Sequence, residues 1–143
     1  MVIQYTAEHQ QNYIDLCKQM HQESVKFSQM SLNADKLIDI AENHYCGLYF
    51  KDNKPVGFLI GYACPAFFSD DMCGYELALF ISPEYRGGMG AVRLIKHFEN
   101  WCKDKGCVEV NAGSSVQVAT DTVKKLYNKL GYTERGFVAY KDL

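Results

Sequence analysis

No stretch of this chain approaches the roughly 20 consecutive apolar residues that span a bilayer. The N-terminal MVIQYTAEHQ also has neither the charged head nor the apolar stretch of a secretory leader. A cytoplasmic protein that keeps off membranes is the expectation. An excess of positive charge is missing as well. Fifteen Lys and Arg stand against 17 Asp and Glu, a formal net charge of −2, so the broad positive field of a nucleic-acid binder is absent. No CxxC and no dense spacing organise Cys17, Cys46, Cys64, Cys73, Cys102 and Cys107. They are spread along the expected elements, as small buried hydrophobes are in a reducing compartment, which argues against a disulfide framework or a structural metal. His9, His21, His44 and His97 also lie on separate elements, and Cys17-x-x-x-His21 supplies only two ligands where a metal site needs more. Repeats, low-complexity tracts and Pro/Ser-rich linkers are absent, so residues 1–143 read as one domain.

What is present is a succession of short patterned segments. Val2 to Tyr5 reads as a strand, with Thr6 as N-cap of a helix whose stripe is Tyr13, Leu16, Cys17 and Met20. After a polar break at Ser28 to Asn33, Ala34 to Asn43 gathers Leu37, Ile38 and Ala41 on one face of a second helix. Tyr45 to Lys51 and Pro55 to Ala63 are β-rich runs joined by the turn Asp52-Asn53-Lys54. Gly74 to Ser82 continues them as an antiparallel meander. Ala91 to Lys105 is strongly amphipathic, with Ala91, Leu94, Ile95, Phe98, Trp101 and Cys102 inward and Gly106 as its stop. Val108 to Ala112 reads as a strand and Asp121 to Leu130 as a helix with stripe Val123, Leu126, Tyr127 and Leu130, ended by Gly131. Tyr132 to Tyr140 reads as a closing pair of strands.

Between the fourth strand and the strongest helix, FISPEYRGGMGAVRLI gathers Gly87, Gly88 and Gly90 at the helix start. A helix N-terminus offers unpaired N–H groups and partial positive charge, and glycines let a phosphate approach closely. Arg86 adds a charge-assisted donor. On these residues alone a turn that merely needs glycine's conformations stays open. A nucleotide-triphosphate loop is excluded, because no Lys-Ser/Thr follows the glycines. A dinucleotide fingerprint is excluded, because the third glycine is missing and the cluster follows the fourth strand. No GxSxG elbow surrounds Ser114 or Ser115, so covalent serine catalysis has no support.

Ile81-Ser82-Pro83-Glu84-Tyr85-Arg86 and the residues up to Ala91 resemble the GNAT superfamily of N-acetyltransferases. The family motif is Arg/Gln-x-x-Gly-x-Gly/Ala after a strand ending in Val-x-Pro-x-Tyr. Arg86 takes the first place and Ala91 the last, with Met89 where the family usually has glycine and Gly90 on a variable position. Downstream, VKKLYNKLGYTERG is similar to the family's Leu-Tyr-x-Lys-x-Gly-Phe/Tyr segment at Leu126, Tyr127, Lys129, Gly131 and Tyr132. The resemblance spans essentially the whole chain. It implies an α/β (α+β) fold, a mixed and mainly antiparallel central sheet of about seven strands flanked by about four helices, in the order β-α-α-β-β-β-α-β-α-β-β. It also implies acetyl-CoA as co-substrate and no metal. Arg86, Gly87, Gly88, Met89, Gly90 and Ala91 would cradle the diphosphate, and backbone groups at Phe80 and Ile81 would hold the pantetheine arm.

Direct acetyl transfer to an amine needs a neutral amine, an activated thioester and a proton for the departing thiolate. A lysine-like amine with pKa ~10.4 lies about 4.6 kcal/mol from neutral at pH 7, so a base is required. Glu76 is the candidate. In YELALFIS it alternates with Ala78 and Phe80, which puts it on the sheet face opposite Leu77, Leu79 and Ile81; an edge glutamate facing solvent is the alternative. The resemblance makes Tyr127 the general acid to the thiolate, where the helical pattern alone allows a core tyrosine. It further implies acceptor contacts from His21 to Ser31, Ala66 to Cys73 and Glu134 to Tyr140, with Glu23, Phe27, Phe68 and Tyr140 as the contact residues. Their aromatic and acidic character suits a cationic amine. The leading expectation is a small-molecule primary amine as acceptor, and a homodimer is allowed. A protein acetyltransferase acting on Lys or an N-terminus is one alternative, and a non-catalytic acyl-CoA-binding module is another.

Overall fold

The alternation of apolar residues in the middle of the chain builds a hairpin of β2 (Tyr45–Lys51) and β3 (Lys54–Pro65), paired from Tyr45↔Gly61 to Lys51↔Lys54. In the computed structural model, which describes residues 1–113 and 120–143, Asp52 and Asn53 close that hairpin with φ of 53° and 64°. Two consecutive left-handed residues make a type I′ turn, and Asp and Asn are the non-glycine residues that best tolerate the conformation. β4 (Met72–Ile81) extends the meander, β1 (Val2–Gln4) pairs antiparallel with β2, and β5 (Glu109–Asn111) lies parallel to β4, giving the order β1-β2-β3-β4-β5. Ser114 and Ser115 lie outside the described residues.

Among the described residues four α-helices cover the sheet: α1 (Gln10–Glu23), α2 (Ala34–Asn43), α3 (Gly90–Asp104) and α4 (Thr120–Lys129). The stripe Tyr13, Leu16, Cys17 and Met20 of α1 packs with Ala41 of α2 on one face, against Leu48, Phe58, Ile60, Ala78 and Phe80. On the other face Leu94, Ile95, Phe98 and Cys102 of α3 and Tyr127 of α4 bury Tyr45, Tyr49, Leu59 and Ile81. Asn33 caps α2, its side chain accepting the Lys36 N–H at 3.2 Å. Thr6 does not cap α1. A 3-10 turn, Ala7–His9, comes between them, and the Thr6 hydroxyl donates to Glu8 Oε1 at 3.3 Å instead.

Three expectations are corrected by the tertiary structure. Thr6 as a cap is the first. The second is strand number: among the described residues the sheet has five strands rather than about seven, and Tyr132 to Tyr140 contributes none. Phe137 and Val138 stand 91% and 99% exposed, so the alternation there covers no apolar surface. The adjacent β5 has three residues and offers little ladder to extend. Arg135 reaches it by side chain only, with an ion pair to Glu109 at 2.7 Å and a hydrogen bond to Asn111 at 3.2 Å.

The third correction concerns Glu76. The β3–β4 register pairs Ile60 with Ala78 but Gly61 with Glu76, so Leu77 is an extra residue in β4, a β-bulge. One inserted residue shifts the side-chain parity of everything before it. A Cβ on Gly61 would strike the Phe98 ring of α3 at 2.7 Å, which places Gly61 and its partner Glu76 on the α3/α4 face. Glu76 therefore shares a face with Leu79 and Ile81, not with Ala78 and Phe80.

Candidate active site

Pairing between β4 and β5 lasts only from Cys73↔Glu109 to Tyr75↔Asn111. Just beyond it the Gly113 N–H donates to the Glu76 carboxylate at 3.3 Å rather than to a strand carbonyl. Among the described residues the outer edge of Leu77–Ile81 has no strand partner, and a cleft of about 360 Å³ opens beside it. β4 lines it with Leu79, Phe80 and Ile81. The following turn and α3 add Arg86, Gly87, Gly88, Ala91 and Val92, and α4 closes it with Thr122, Val123, Lys125, Leu126 and Lys129. The floor is apolar, and the rim carries three cations and the N-terminus of a 15-residue helix.

The turn's local structure follows from its sequence. Pro83 opens a 3-10 turn, Pro83–Tyr85. Gly87 then takes φ 91°, a conformation that suits glycine. The buried Ser82 ties the turn down, its N–H donating to the Val56 carbonyl at 2.9 Å and its hydroxyl to Gln19 Oε1 of α1 at 2.7 Å. The glycines do different work. A Cβ at Gly88 would meet nothing within 4 Å, so this position is open to a ligand. At Gly90 a Cβ would strike the Tyr49 ring at 2.6 Å, so Gly90 lets α3 settle onto the sheet. Met89 is exposed, and both it and Gly90 lie outside the cleft lining.

Arg86 lines the cleft but is already engaged. Its Nε donates to the Ile81 carbonyl at 2.8 Å, and Nη1 and Nη2 donate to the two oxygens of Glu23 at 2.7 Å each. Its guanidinium also lies 5.4 Å from the Phe80 ring centre. Arg86 holds the Glu23 carboxyl below its usual range, chiefly through those hydrogen bonds. Two residues expected on opposite sides of the reaction, one for donor and one for acceptor, thus form a single ion pair. Lys125 and Lys129, absent from the sequence-based site, supply the other cations. The signal for them was their spacing of four on α4, which puts both on one face.

Near the cleft, Tyr127 is buried and its hydroxyl has no hydrogen-bond partner among the described residues. Burial, then the charge of Glu76, raises the phenol above its ordinary range, so it keeps its proton at neutral pH. The ring packs edge-on against Tyr132 at 4.9 Å, and Tyr132 in turn donates to Glu99 at 2.8 Å. Desolvation pushes the Glu76 carboxyl up to about 7, with the Gly113 N–H pulling the other way. A carboxyl that titrates near neutrality beside a phenol that stays protonated is a pair whose environments separate acid from base.

The acceptor-side candidates are brought together in part. Lys26 forms an ion pair with Asp142 and lies over the Tyr140 ring at 5.0 Å, which ties the α1–α2 loop to the C-terminal segment. Phe27 packs against the α1/α2 core. Phe68 stands 78% exposed in the β3–β4 loop, edge-on to Phe67. All six cysteines are free thiols. Among the described residues no group of three or more His, Cys, Asp or Glu is arranged to hold a metal, and no helix is long and apolar enough to cross a membrane.

Residues 10–132 match the acetyltransferase (GNAT) family. No curated relative matches by sequence. Among solved structures, the fold superposes on an aminoglycoside acetyltransferase from an uncultured soil metagenomic sample with a TM-score of 0.79 and 15% identity, covering 100% of this chain and 97% of that one. The aminoglycoside N-acetyltransferase AAC(6')-Iy in complex with CoA gives 0.76 and 18%, over 100% and 98%. A ribosomal-protein-alanine N-acetyltransferase from Brucella melitensis biovar Abortus gives 0.75 and 16%, over 100% and 99%.

Proposed function

We propose, since this chain belongs to the acetyltransferase (GNAT) family, that it moves the acetyl group of acetyl-CoA directly to a primary amine of a small molecule. The cleft fits the donor chemically. Its apolar floor suits a pantetheine arm, the edge of β4 that is free among the described residues offers backbone partners for the arm's amides, and Gly87, Gly88 and the start of α3 present N–H groups to phosphate. Lys125 and Lys129 add positive charge at the rim. The observation that carries the acceptor half is Glu76, set by the bulge on the same face as Tyr127 with its carboxyl raised to about 7.

In this reading the Glu76 carboxylate takes one proton from the acceptor ammonium, and the neutral amine attacks the thioester carbonyl carbon. As the C–N bond forms, the C–S bond breaks. The Tyr127 hydroxyl donates a hydrogen bond to the departing sulfur and relays the amine's second proton to it, so the products are an amide and a free thiol, and Glu76 returns its proton to water. The two residues share one division of labour, because burial costs a carboxylate its charge and leaves a phenol protonated.

The test is thiol release from acetyl-CoA across a panel of small mono- and polyamines and of peptides with a free N-terminus or lysine. Small amines are expected to exceed peptides in kcat/KM. A preference for peptides transfers the reading to a protein acetyltransferase. CoA binding without thiol release on any acceptor leaves a non-catalytic acyl-CoA-binding module. Binding is checked by thermal shift, which mass action makes readable once CoA is well above its Kd.

A further inference from the structure

The Arg86–Glu23 pair joins the donor turn to the end of α1, 63 residues away in sequence. A guanidinium carries five N–H donors in one plane. Here Nε is taken by the Ile81 carbonyl, and one hydrogen on each terminal nitrogen is taken by Glu23. The two that remain point from opposite edges of the plane, so no adjacent pair is left to grip a phosphate in the forked geometry that makes arginine a strong phosphate ligand. Arg86 nevertheless lines the cleft beside Gly87 and Gly88. Both side chains of the ion pair are only about one-third exposed, at 32% and 33%. A second tie runs parallel to it, from Ser82 to Gln19, four residues before Glu23 on α1.

We propose that the Glu23–Arg86 ion pair is a latch on the donor site: Arg86 gives its forked donors either to Glu23 or to a phosphate of the bound CoA, and donor binding displaces the Glu23 carboxylate from the turn. Glu23 is then a positioning residue that lowers donor affinity by competing for Arg86. Opening the latch leaves the Ser82–Gln19 hydrogen bond as the side-chain tie between the turn and α1 among the described residues and frees a carboxylate where the α1–α2 loop begins. The inference rests on the reading of the cleft as a CoA site.

Calorimetric titration with CoA of the wild type, E23Q, R86Q and E23Q/R86Q tests it. E23Q is expected to tighten CoA roughly twofold to fivefold, the scale of a partly exposed ion pair. That gain is expected to vanish in the R86Q background. Competition by pantetheine, which lacks the diphosphate, is expected to be the same in wild type and E23Q. An equal gain with and without Arg86 reduces the effect to general charge repulsion and overturns the latch. Unchanged or weaker CoA binding in E23Q overturns it as well, as does a matching change for pantetheine. Where E23Q does not fold, E23D shortens the reach by one methylene and is expected to give a smaller gain in the same direction; no gain refutes the proposal. A wild type that binds no CoA at all sinks the functional reading instead.

Discussion

Glu76→Gln replaces a carboxyl that burial pushes up to about 7 with a neutral side chain of nearly the same shape. In an unfolded chain this group titrates near 4.5. Between the two values the folded protein binds a proton that the unfolded chain has released, so stability falls as pH rises through that window. The stabilisation is fully present below pH 4.5 and lost above 7. A separation of about 2.5 units corresponds to about 3 kcal/mol, and because the residue as a whole is half-buried, about 1–3 kcal/mol is the expected range. Urea denaturation at pH 5, 7 and 8.5 is expected to show E76Q gaining on the wild type as pH rises, with most of the gain in place by pH 8.5. For a chain of this length that is roughly 3 °C in Tm per kcal/mol. The same substitution is expected to abolish the acid limb of kcat/KM, which in the wild type falls away below about pH 7. A stability difference that does not change with pH refutes the desolvation argument, and an acid limb that stays in place removes Glu76 as the base.

Tyr127→Phe deletes a buried hydroxyl without a partner among the described residues. We expect about 1 kcal/mol of added stability together with a kcat lowered roughly a hundredfold and little change in acetyl-CoA affinity; a kcat near wild type refutes the acid role. Gly90→Ala forces a methyl group into the Tyr49 ring and is expected to cost about 1–3 kcal/mol by chemical denaturation, whereas Gly88→Ala, with open space at its Cβ, is expected to leave stability nearly untouched. Equal costs at the two positions contradict that division. Removing Lys125 and Lys129 together is expected to raise the KM for acetyl-CoA several-fold and to flatten its salt dependence; a KM as salt-sensitive as that of the wild type removes them from the phosphate site.

Much of the architecture was legible because it rests on local periodicity. The stripe Tyr13, Leu16, Cys17 and Met20, the start of α2 after Asn33 and the Asp52-Asn53 turn all depend on neighbours within a few residues, and each is found at those residues. The turn proposed for the donor carried a local signal of the same kind, since helix-end N–H groups and glycines adjoin in sequence. The cations at the cleft rim were less so. Lys125 and Lys129 carried a helical spacing but no sign that their face would close a cleft.

What the sequence by itself determined, then, is the order of the main helices and of the first five strands, and the place of the glycine turn before α3, because each follows from short-range sterics and hydrogen bonding. Only the tertiary structure decided which face Glu76 occupies, since the bulge at Leu77 is one unpaired residue and leaves no trace in the alternation of YELALFIS. It also decided that Gly90 serves packing while Gly88 faces open space, and that Arg86 spends its donors on Glu23. These outcomes depend on which distant segments the fold brings together, and a local pattern carries no information about a partner 63 residues away.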